Sequence, residues 1–554
     1  LNTLQFTPKI FTILKDGYTK NDFRSDAIAG LTVAIVALPL AMALAIASGA
    51  SPDKGLITAV VAGFLISCLG GSRVQVGGPT GAFVVIVYNV ISQHGYDGLI
   101  LATLLAGAIL IIAGYARLGQ LIRFIPRPVV TGFTAGIAVI IASSQVKDFL
   151  GLKLPVVPAD FIPKWTAYFG ALNTIDLATL LVGSGALLTI IIARRFAPRL
   201  PGYLIAVVMS ASLVALFHIP VETIGSRFPH IPSGLPMPEI PAWNFAKLRE
   251  IVPSAFTIAF LAGIEALLSA VVADGMTGFK HRSNQELVAQ GVANIASAFF
   301  GGLPATGAIA RTATNIKAGA RTPFAGMSHA AFLLLFMLFA TDIMKFVPMA
   351  ALAAILFIVA WGMSELNHFI HIFKLSAADR TVMLLTFFLT VLVDLTVAIG
   401  IGITLASLLF MREMARSVEI ESESRQLTDF RENEYEDETQ RKRLPAGVEV
   451  FRITGPVFFG VASELLDTLK FMGQMPRVLI LRMRHVPYLD ATGATVIENI
   501  IKQCADKGIY VILSGVQKQP ERILNKAHVK NGKNGVSFCL NYQSSLNLAE
   551  KLCI

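Results

Sequence analysis

Val61-Ala62-Gly63-Phe64-Leu65-Ile66-Ser67-Cys68-Leu69-Gly70-Gly71 and Val292-Ala293-Asn294-Ile295-Ala296-Ser297-Ala298-Phe299-Phe300-Gly301-Gly302 are two copies of one pattern. Each is soon followed by a second string: Pro79-Thr80-Gly81-Ala82 after the first, Pro304-Ala305-Thr306-Gly307-Ala308 after the second. A run of small apolar residues that stops at Gly-Gly and restarts at proline reads as a membrane helix, a break and a half-helix. The chain around these copies agrees. It has 554 residues, 54% hydrophobic and 15% charged, with a mean hydropathy of +0.65. A soluble domain carries about 25% charge. The apolar residues gather into runs such as 27–48, 99–113, 179–193 and 381–393. This is a polytopic membrane protein, which excludes collagen-like, disordered and disulfide-rich secreted chains. Cys68, Cys504, Cys539 and Cys553 have no CxxC spacing, so neither a disulfide framework nor a zinc site is implied. The chain opens on Leu1, so an initiator methionine is expected to precede it, and no secretory signal precedes the first span.

Outward from the two copies, spans are expected near residues 26–48, 54–70, 79–92, 98–115, 128–144, 174–194, 202–218, 251–273, 285–300, 304–317, 324–341, 346–363, 379–394 and 396–412, fourteen in all. Several fall short of the ~20 residues that a crossing helix needs. Charge tests the count. With both termini cytoplasmic, alternate loops should be rich in Lys and Arg. The expected inner segments carry Lys9, Lys15, Lys20 and Arg24, then Arg117, Arg123 and Arg127, then Arg194, Arg195 and Arg199. The outer loops balance their cations with acids such as Asp53, Asp148, Asp160, Glu222 and Asp342. The net charge of +10 is therefore mostly an orientation signal, and nucleic acid is not an expected partner.

Seven spans separate the two copies, an odd number, so they enter the membrane from opposite sides. Such an inverted repeat, with short Gly/Pro-interrupted spans at matching places, points to a secondary transporter and to its binding site. Proline suits a first helical turn, where its missing N–H costs nothing. The small residues after it leave that turn's free amides accessible, and two such N-termini would aim two positive dipole ends at one point. An anion belongs there, and Arg311 adds a full positive charge from two turns into the second half-helix. The plainer reading is that Gly-Gly-Pro strings let helices pack closely. One copy favours that reading; two in inverted positions favour a site.

Glu265 lies inside the eighth expected span. An ionised carboxylate at mid-membrane costs several kcal/mol unless paired, so it marks function. Either it takes up a proton on each cycle, or it forms a permanent structural ion pair with Arg311. After the last span, residues 419–438 hold nine Asp/Glu against Arg425 and Arg431, which reads as a solvated linker. From 446 onward short β-rich runs at 447–453, 477–483 and 509–515 alternate with helical stretches at 462–472 and 491–505. That pattern predicts a small cytoplasmic α/β domain. The expected divisions are an N-terminal cytoplasmic segment 1–25, a transmembrane domain 26–412, an acidic linker 413–445 and the α/β domain 446–554.

Several motifs, in order, resemble the sulfate permease family, also called solute carrier family 26. They are Asp26-Ala-Ile-Ala-Gly30-Leu31 with Pro39, the 70–81 segment through Arg73 and Pro79-Thr80-Gly81, and Pro304 to Arg311. The tail, through Val486-Pro-Tyr-Leu-Asp490-Ala-Thr492-Gly493, resembles that family's STAS domain. Gly275-Met-Thr-Gly-Phe-Lys280-His281 and residues 407–411 look most like its bacterial aerobic C4-dicarboxylate branch. The resemblance implies a polytopic α-helical fold of fourteen spans in a seven-plus-seven inverted repeat, with two half-helices and core and gate domains. It also implies elevator-type alternating access and a homodimer. On the same basis Thr80, Gly81, Ala82 and Phe83 form one lip of the anion site, and Thr306, Gly307, Ala308, Ala310 and Arg311 the other. The family often has a hydroxyl residue where this chain has Ala308 and Ala310, which leaves backbone amides and Arg311 to hold the anion. Glu265 falls where the family couples transport to a cation, here a proton in preference to sodium. Thr492 matches a position phosphorylated in related anti-sigma-factor antagonists; the plainer reading is that Asp490 or Thr492 caps a helix.

His368 and His371 share a helix face with no carboxylate or cysteine partner apparent, so no metal is expected. No GxxxxGK[ST], nucleophile elbow or HExxH occurs, so neither an ATPase motor, an enzyme nor a cofactor is expected. The expected function is secondary active transport, across a bacterial cytoplasmic membrane, of C4-dicarboxylates such as succinate or small oxyanions such as sulfate or bicarbonate. Its expected partners are the anion, a co-transported proton, the bilayer, a second copy and a cytoplasmic protein at the STAS domain. The rivals are a sodium-coupled bicarbonate transporter, a channel-like anion conductor, a nucleobase carrier of the same design and a membrane sensor signalling through the tail.

Overall fold

The computed structural model describes residues 6–553 except 121–124, 155–156, 159, 198–199, 230–231, 233, 240, 242–244, 394, 423–443, 462–475 and 533–534. The chain divides into two compact units, Leu1–Thr404 and Leu405–Ile554.

The first unit is helical. In order it contains α1 (Lys9–Asp16), α2 (Lys20–Ala47), α3 (Pro52–Leu69), α4 (Phe83–Tyr115), α5 (Arg127–Leu150), α6 (Phe161–Gly170), α7 (Leu177–Phe196), α8 (Gly202–Phe217) and α9 (Ile224–Arg227). The second half brings α10 (Phe245–Thr277), α11 (Ser283–Phe299), α12 (Ile309–Lys317), α13 (Pro323–Phe339), α14 (Thr341–Met344), α15 (Met349–Met363), α16 (Leu366–Lys374), α17 (Ala377–Leu392) and the start of α18 (Leu395–Arg416), whose later residues belong to the second unit. Among the described residues eight helices are long and apolar enough to cross a membrane, and two shorter apolar ones accompany them. Every expected span has a helical counterpart. Two of them, 79–92 and 98–115, join in α4, which breaks at Gly95, where φ is +73°.

Between α3 and α4 lies a two-residue strand, β1 (Gly77–Gly78); between α11 and α12 lies β2 (Thr306–Gly307). They pair antiparallel, Gly77 opposite Gly307 and Gly78 opposite Thr306. The two copies of the repeat therefore run in opposite directions where they meet. Pairing also answers a physical need, since an extended backbone in the membrane interior must find partners within the protein. At the other end of the repeat, buried Asp26 accepts from the Arg321 and Thr322 amides, the Thr322 hydroxyl and the Tyr18 hydroxyl, which fixes the start of α2 to the start of α13.

The second unit carries a five-stranded sheet in the order β3 (Glu419–Ser422), β4 (Val448–Thr454), β5 (Val478–His485), β6 (Tyr510–Ser514) and β7 (Val536–Cys539). β3 is antiparallel to β4 and all other pairs are parallel. Successive residues alternate between two buried faces, as expected of a parallel sheet covered on both sides. Phe451, Leu479, Leu481 and Leu513 pack with Ile497 and Ile501 of the helix Ala491–Asp506; Val450, Ile480 and Ile512 pack with Leu546 and Ala549 of the helix Tyr542–Cys553. The expected strands and the helix at 491–505 are present, and the helix expected at 462–472 lies outside the described residues. The linker differs from expectation at its start: α18 runs on to Arg416, and Glu419–Ser422 joins the sheet. Ile420 packs against the core there. Two of the nine acids that suggested a solvated segment, Glu419 and Glu421, stand on this edge strand, where charge discourages pairing with another chain, and the other seven lie outside the described residues.

Candidate functional site

The site grows from the β1–β2 junction. After Gly78 the chain turns at Pro79, and Thr80, Gly81 and Ala82 form the first turn before α4. The Phe83 amide donates to the Thr80 carbonyl at 3.3 Å and the Val84 amide to the Gly81 carbonyl at 3.1 Å. A first turn has amides with no intrahelical acceptor, here those of Gly81 and Ala82. Pro79 stands ahead of this turn and α4 starts at Phe83, so the proline precedes the helix and does not occupy its first turn as expected.

The second half is built differently. Pro304 does not begin a helix: residues 304–308 are extended through β2, and α12 starts at Ile309. Arg311 is therefore in the first turn of its half-helix, a correction to the two turns expected. The Ala308 amide donates to the Val76 carbonyl at 2.9 Å, so it is committed to the junction and cannot bind a ligand. Thr306 donates its hydroxyl to the Ala262 carbonyl at 2.8 Å and also faces the scaffold. Of the expected lip, Ala310 is exposed and its amide lies in the acceptor-free first turn, as does that of exposed Ile309.

Arg311 is 3% exposed. Its Nη2 donates to the Pro79 carbonyl at 2.5 Å, while Nε and Nη1 are buried with no partner. The guanidinium reaches across the junction because Gly78 has no side chain: a Cβ there would stand 2.3 Å from Nη1. Glu265 takes a different partner, the Thr80 hydroxyl, which donates to Oε2 at 2.7 Å. The permanent Glu265–Arg311 ion pair is therefore absent, and the two opposite charges hold consecutive residues of one turn. This lip is also covered by α15 and α5: a Cβ on Gly81 would meet the Met363 sulfur at 2.7 Å and Ile141 at 3.2 Å. Glu265 also borders an apolar cleft lined by Val129, Val130, Phe133 and Thr134 of α5, by Ile264 and Leu268, and by Ile399 of α18.

Sequence reading missed the scaffold that holds this arrangement. Gln75 donates to the Ala266 carbonyl at 3.1 Å, and Ser269 donates to Thr312, which also accepts from the Val76 amide, both at 3.1 Å. Together with Thr306, these side chains fasten α10 to both strands on the face that carries Glu265. His329 on α13 is fully buried with neither ring nitrogen partnered, and Glu286 on α11 is fully buried, accepting from the Gly71 amide at 2.8 Å. The rule that singled out Glu265 would have found both, since each lies within an expected span.

Elsewhere, Asp490 caps the helix Ala491–Asp506 by accepting from the Gly493 amide at 2.7 Å, and Thr492 is exposed on its first turn. Asp274, near the end of α10, accepts from His281 Nδ1 at 2.7 Å. His368 has a carboxylate neighbour after all, Glu365 at 3.3 Å. Among the described residues no group of three or more His, Cys, Asp or Glu could hold a metal.

Two broken helices facing each other across paired strands, with charged groups at their junction, define a membrane transporter of the inverted-repeat class. The chain belongs to the sulfate permease family, whose model matches residues 23–386, and it carries a STAS domain, matched over residues 441–534. It is 40% identical to "Putative sulfate transporter YvdB" of Bacillus subtilis (strain 168), over 92% of this chain and 94% of that one. It is 31% identical to "Bicarbonate transporter BicA" of Picosynechococcus sp. (strain ATCC 27264 / PCC 7002 / PR-6), over 91% of each. Among solved structures, murine Slc26a9, an anion transporter in the inward-facing state, superposes with a TM-score of 0.86 at 16% identity, covering 99% of this chain and 94% of that one, which shows the shared fold. These relatives are transporters and not enzymes.

Proposed function

We propose that this protein is a secondary active anion transporter that carries C4-dicarboxylates or small oxyanions such as sulfate or bicarbonate, coupled to a proton through Glu265. The observation that carries the reading is Arg311. A buried guanidinium with no counter-ion costs several kcal/mol, and its Nε and Nη1 donors have no partner. A bound anion supplies both the charge and the acceptors, with the first-turn amides of Gly81, Ala82, Ile309 and Ala310 as further donors. These amides do not depend on side-chain type, which suits several oxyanions. The names of the sulfate and bicarbonate relatives agree with an anionic cargo.

Glu265, hydrogen-bonded to Thr80 and bordering a cleft, is available to bind a proton on each cycle. Fourteen spans with cytoplasmic termini, an elevator movement of the half-helix core, a homodimer and a bacterial inner-membrane location complete the proposal. So do an N-terminal segment 1–25, a connection after α18 and a STAS domain from 446. Thr492, exposed beside its capping Asp490, is the candidate modification position, facing a cytoplasmic partner.

The test is uptake of labelled succinate, sulfate and bicarbonate into proteoliposomes, with an inward proton gradient, an inward sodium gradient or neither, for wild type and Glu265→Gln. Proton-driven uptake lost in the variant supports the reading. Sodium-driven bicarbonate uptake replaces the proton with sodium. Gradient-independent flux that is unchanged in the variant refutes coupling.

A further inference from the structure

Glu265 and Arg311 do not touch each other, yet both grip the same turn. Arg311 Nη2 holds the Pro79 carbonyl at 2.5 Å, and Glu265 Oε2 holds the hydroxyl of the next residue, Thr80, at 2.7 Å. The amides of Gly81 and Ala82 follow directly. The rest of the surroundings is fixed: Gln75, Thr306 and Ser269 bind α10 to the strands through the Ala262 and Ala266 carbonyls and Thr312. Among the described residues, the Thr80 hydroxyl makes the one side-chain bond between the Glu265 carboxyl and the half-helix start.

We infer that Thr80 is the positioning residue that links protonation of Glu265 to the affinity of the anion site. The inference rests on the proposed coupling role of Glu265. An ionised carboxylate accepts the Thr80 hydrogen strongly and holds the turn in place with a negative charge beside it. When a proton binds that carboxyl, the charge disappears and the hydrogen bond becomes a neutral one of roughly half the strength. The turn is then free to settle on an anion. Proton and anion thus favour each other, and by linkage each raises the other's affinity by the same factor. Of the other titratable groups at this junction, α12 supplies Arg311, bound to the Pro79 carbonyl, and α13 supplies the buried His329. The facing parts of α5 and α18 supply only Val129, Val130, Phe133, Thr134 and Ile399. No other described carboxylate competes for the Thr80 hydroxyl.

The test measures thermal stabilisation of the purified full-length protein by sodium-free sulfate, titrated between pH 5.5 and 8. The variants are Thr80→Val, Thr80→Ala, Thr80→Ser and Glu265→Gln. Wild type and Thr80→Ser are expected to bind sulfate more tightly at low pH, by a factor of about 5–150, the usual range of coupling between two sites. Glu265→Gln is expected to bind with no pH dependence. Thr80→Val and Thr80→Ala are expected to bind sulfate with the pH dependence reduced to less than about twofold. Full pH dependence in either of these overturns the inference and leaves the coupling role of Glu265 standing. Loss of binding at every pH in both, while Glu265→Gln still binds, also overturns it, because Thr80 would then be a ligand and not a link. If wild type shows no pH dependence, the coupling reading itself fails and takes this inference with it. If Thr80→Val does not fold, Thr80→Ala and Thr80→Ser decide the matter.

Discussion

Replacing Arg311 with methionine separates a binding cation from a structural one. The side chain is 3% exposed, so the substitution removes a charge held out of water. It also removes one charge-assisted hydrogen bond, to the Pro79 carbonyl at 2.5 Å, worth about 1.5–3 kcal/mol. Against that loss stands the several kcal/mol spent on burying an uncompensated ion, and apolar replacements of buried ions are often neutral or stabilising by about 1–4 kcal/mol. The two nearly cancel. The anion-free Arg311→Met protein should therefore unfold within about 2 kcal/mol of wild type, in either direction. Saturation is where the two part. At a hundred times its dissociation constant, an anion stabilises wild type by about 2.7 kcal/mol, whereas the variant should gain nothing. The assay is the thermal midpoint in detergent with and without succinate, sulfate and bicarbonate. A variant that is strongly destabilised without anion, yet still gains the full anion-dependent shift, would refute the reasoning. It would make Arg311 a donor to Pro79 and nothing more.

Gly307→Ala should cost about 1–3 kcal/mol, because its Cβ would stand 1.5 Å from Gln75 Nε2 and break that residue's bond to the Ala266 carbonyl. The Gln75→Ala/Gly307→Ala pair should lose less than the sum of the single losses, which a double-mutant cycle of thermal midpoints measures. At the end of α9, Arg227 donates to Glu222 (Nε to Oε1, 2.8 Å) and to Asp148 (Nη2 to Oδ1, 2.7 Å). The Arg227 hydrogen bond holds the Glu222 carboxyl below its ordinary 4.5. A depressed value means that the contribution is full above pH 4.5 and is lost as pH falls through the lower folded value. Hydrogen exchange of residues 218–228 should therefore rise below that pH in wild type, and Arg227→Gln should abolish the change. Met363→Ala should open the space over Gly81 and raise succinate uptake relative to bicarbonate; an unchanged ratio would remove Met363 from the wall of the site.

What could be read from the sequence, and what could not, follows from how the site is made. The inverted repeat was legible because close backbone approach demands small residues, and Gly70-Gly71 and Gly301-Gly302 record that demand in both copies. Glu265 and Arg311 were legible because charge in a membrane is costly. The β1–β2 pairing was not, since two-residue strands built largely from glycine have no side-chain alternation to detect. The start of α12 was misplaced for a related reason. Pro304 permits a helix but does not require one, and the residues after it satisfy their backbone by pairing with a segment more than 200 positions earlier. The partner of Arg311 is likewise a carbonyl, which every residue has, and nothing in its residue type announces it. In the α/β domain the acids at 419–421 concealed a strand, because an edge exposed to water tolerates charge on the side that faces outward. Side-chain chemistry therefore names the two ions of this site, while the glycines and alanines around them record only where backbone is allowed to come close. Ala308 and Ala310 are indistinguishable by that criterion. One amide is spent on Val76 and the other lies in an open first turn, so only the geometry separates the committed amide from the free one.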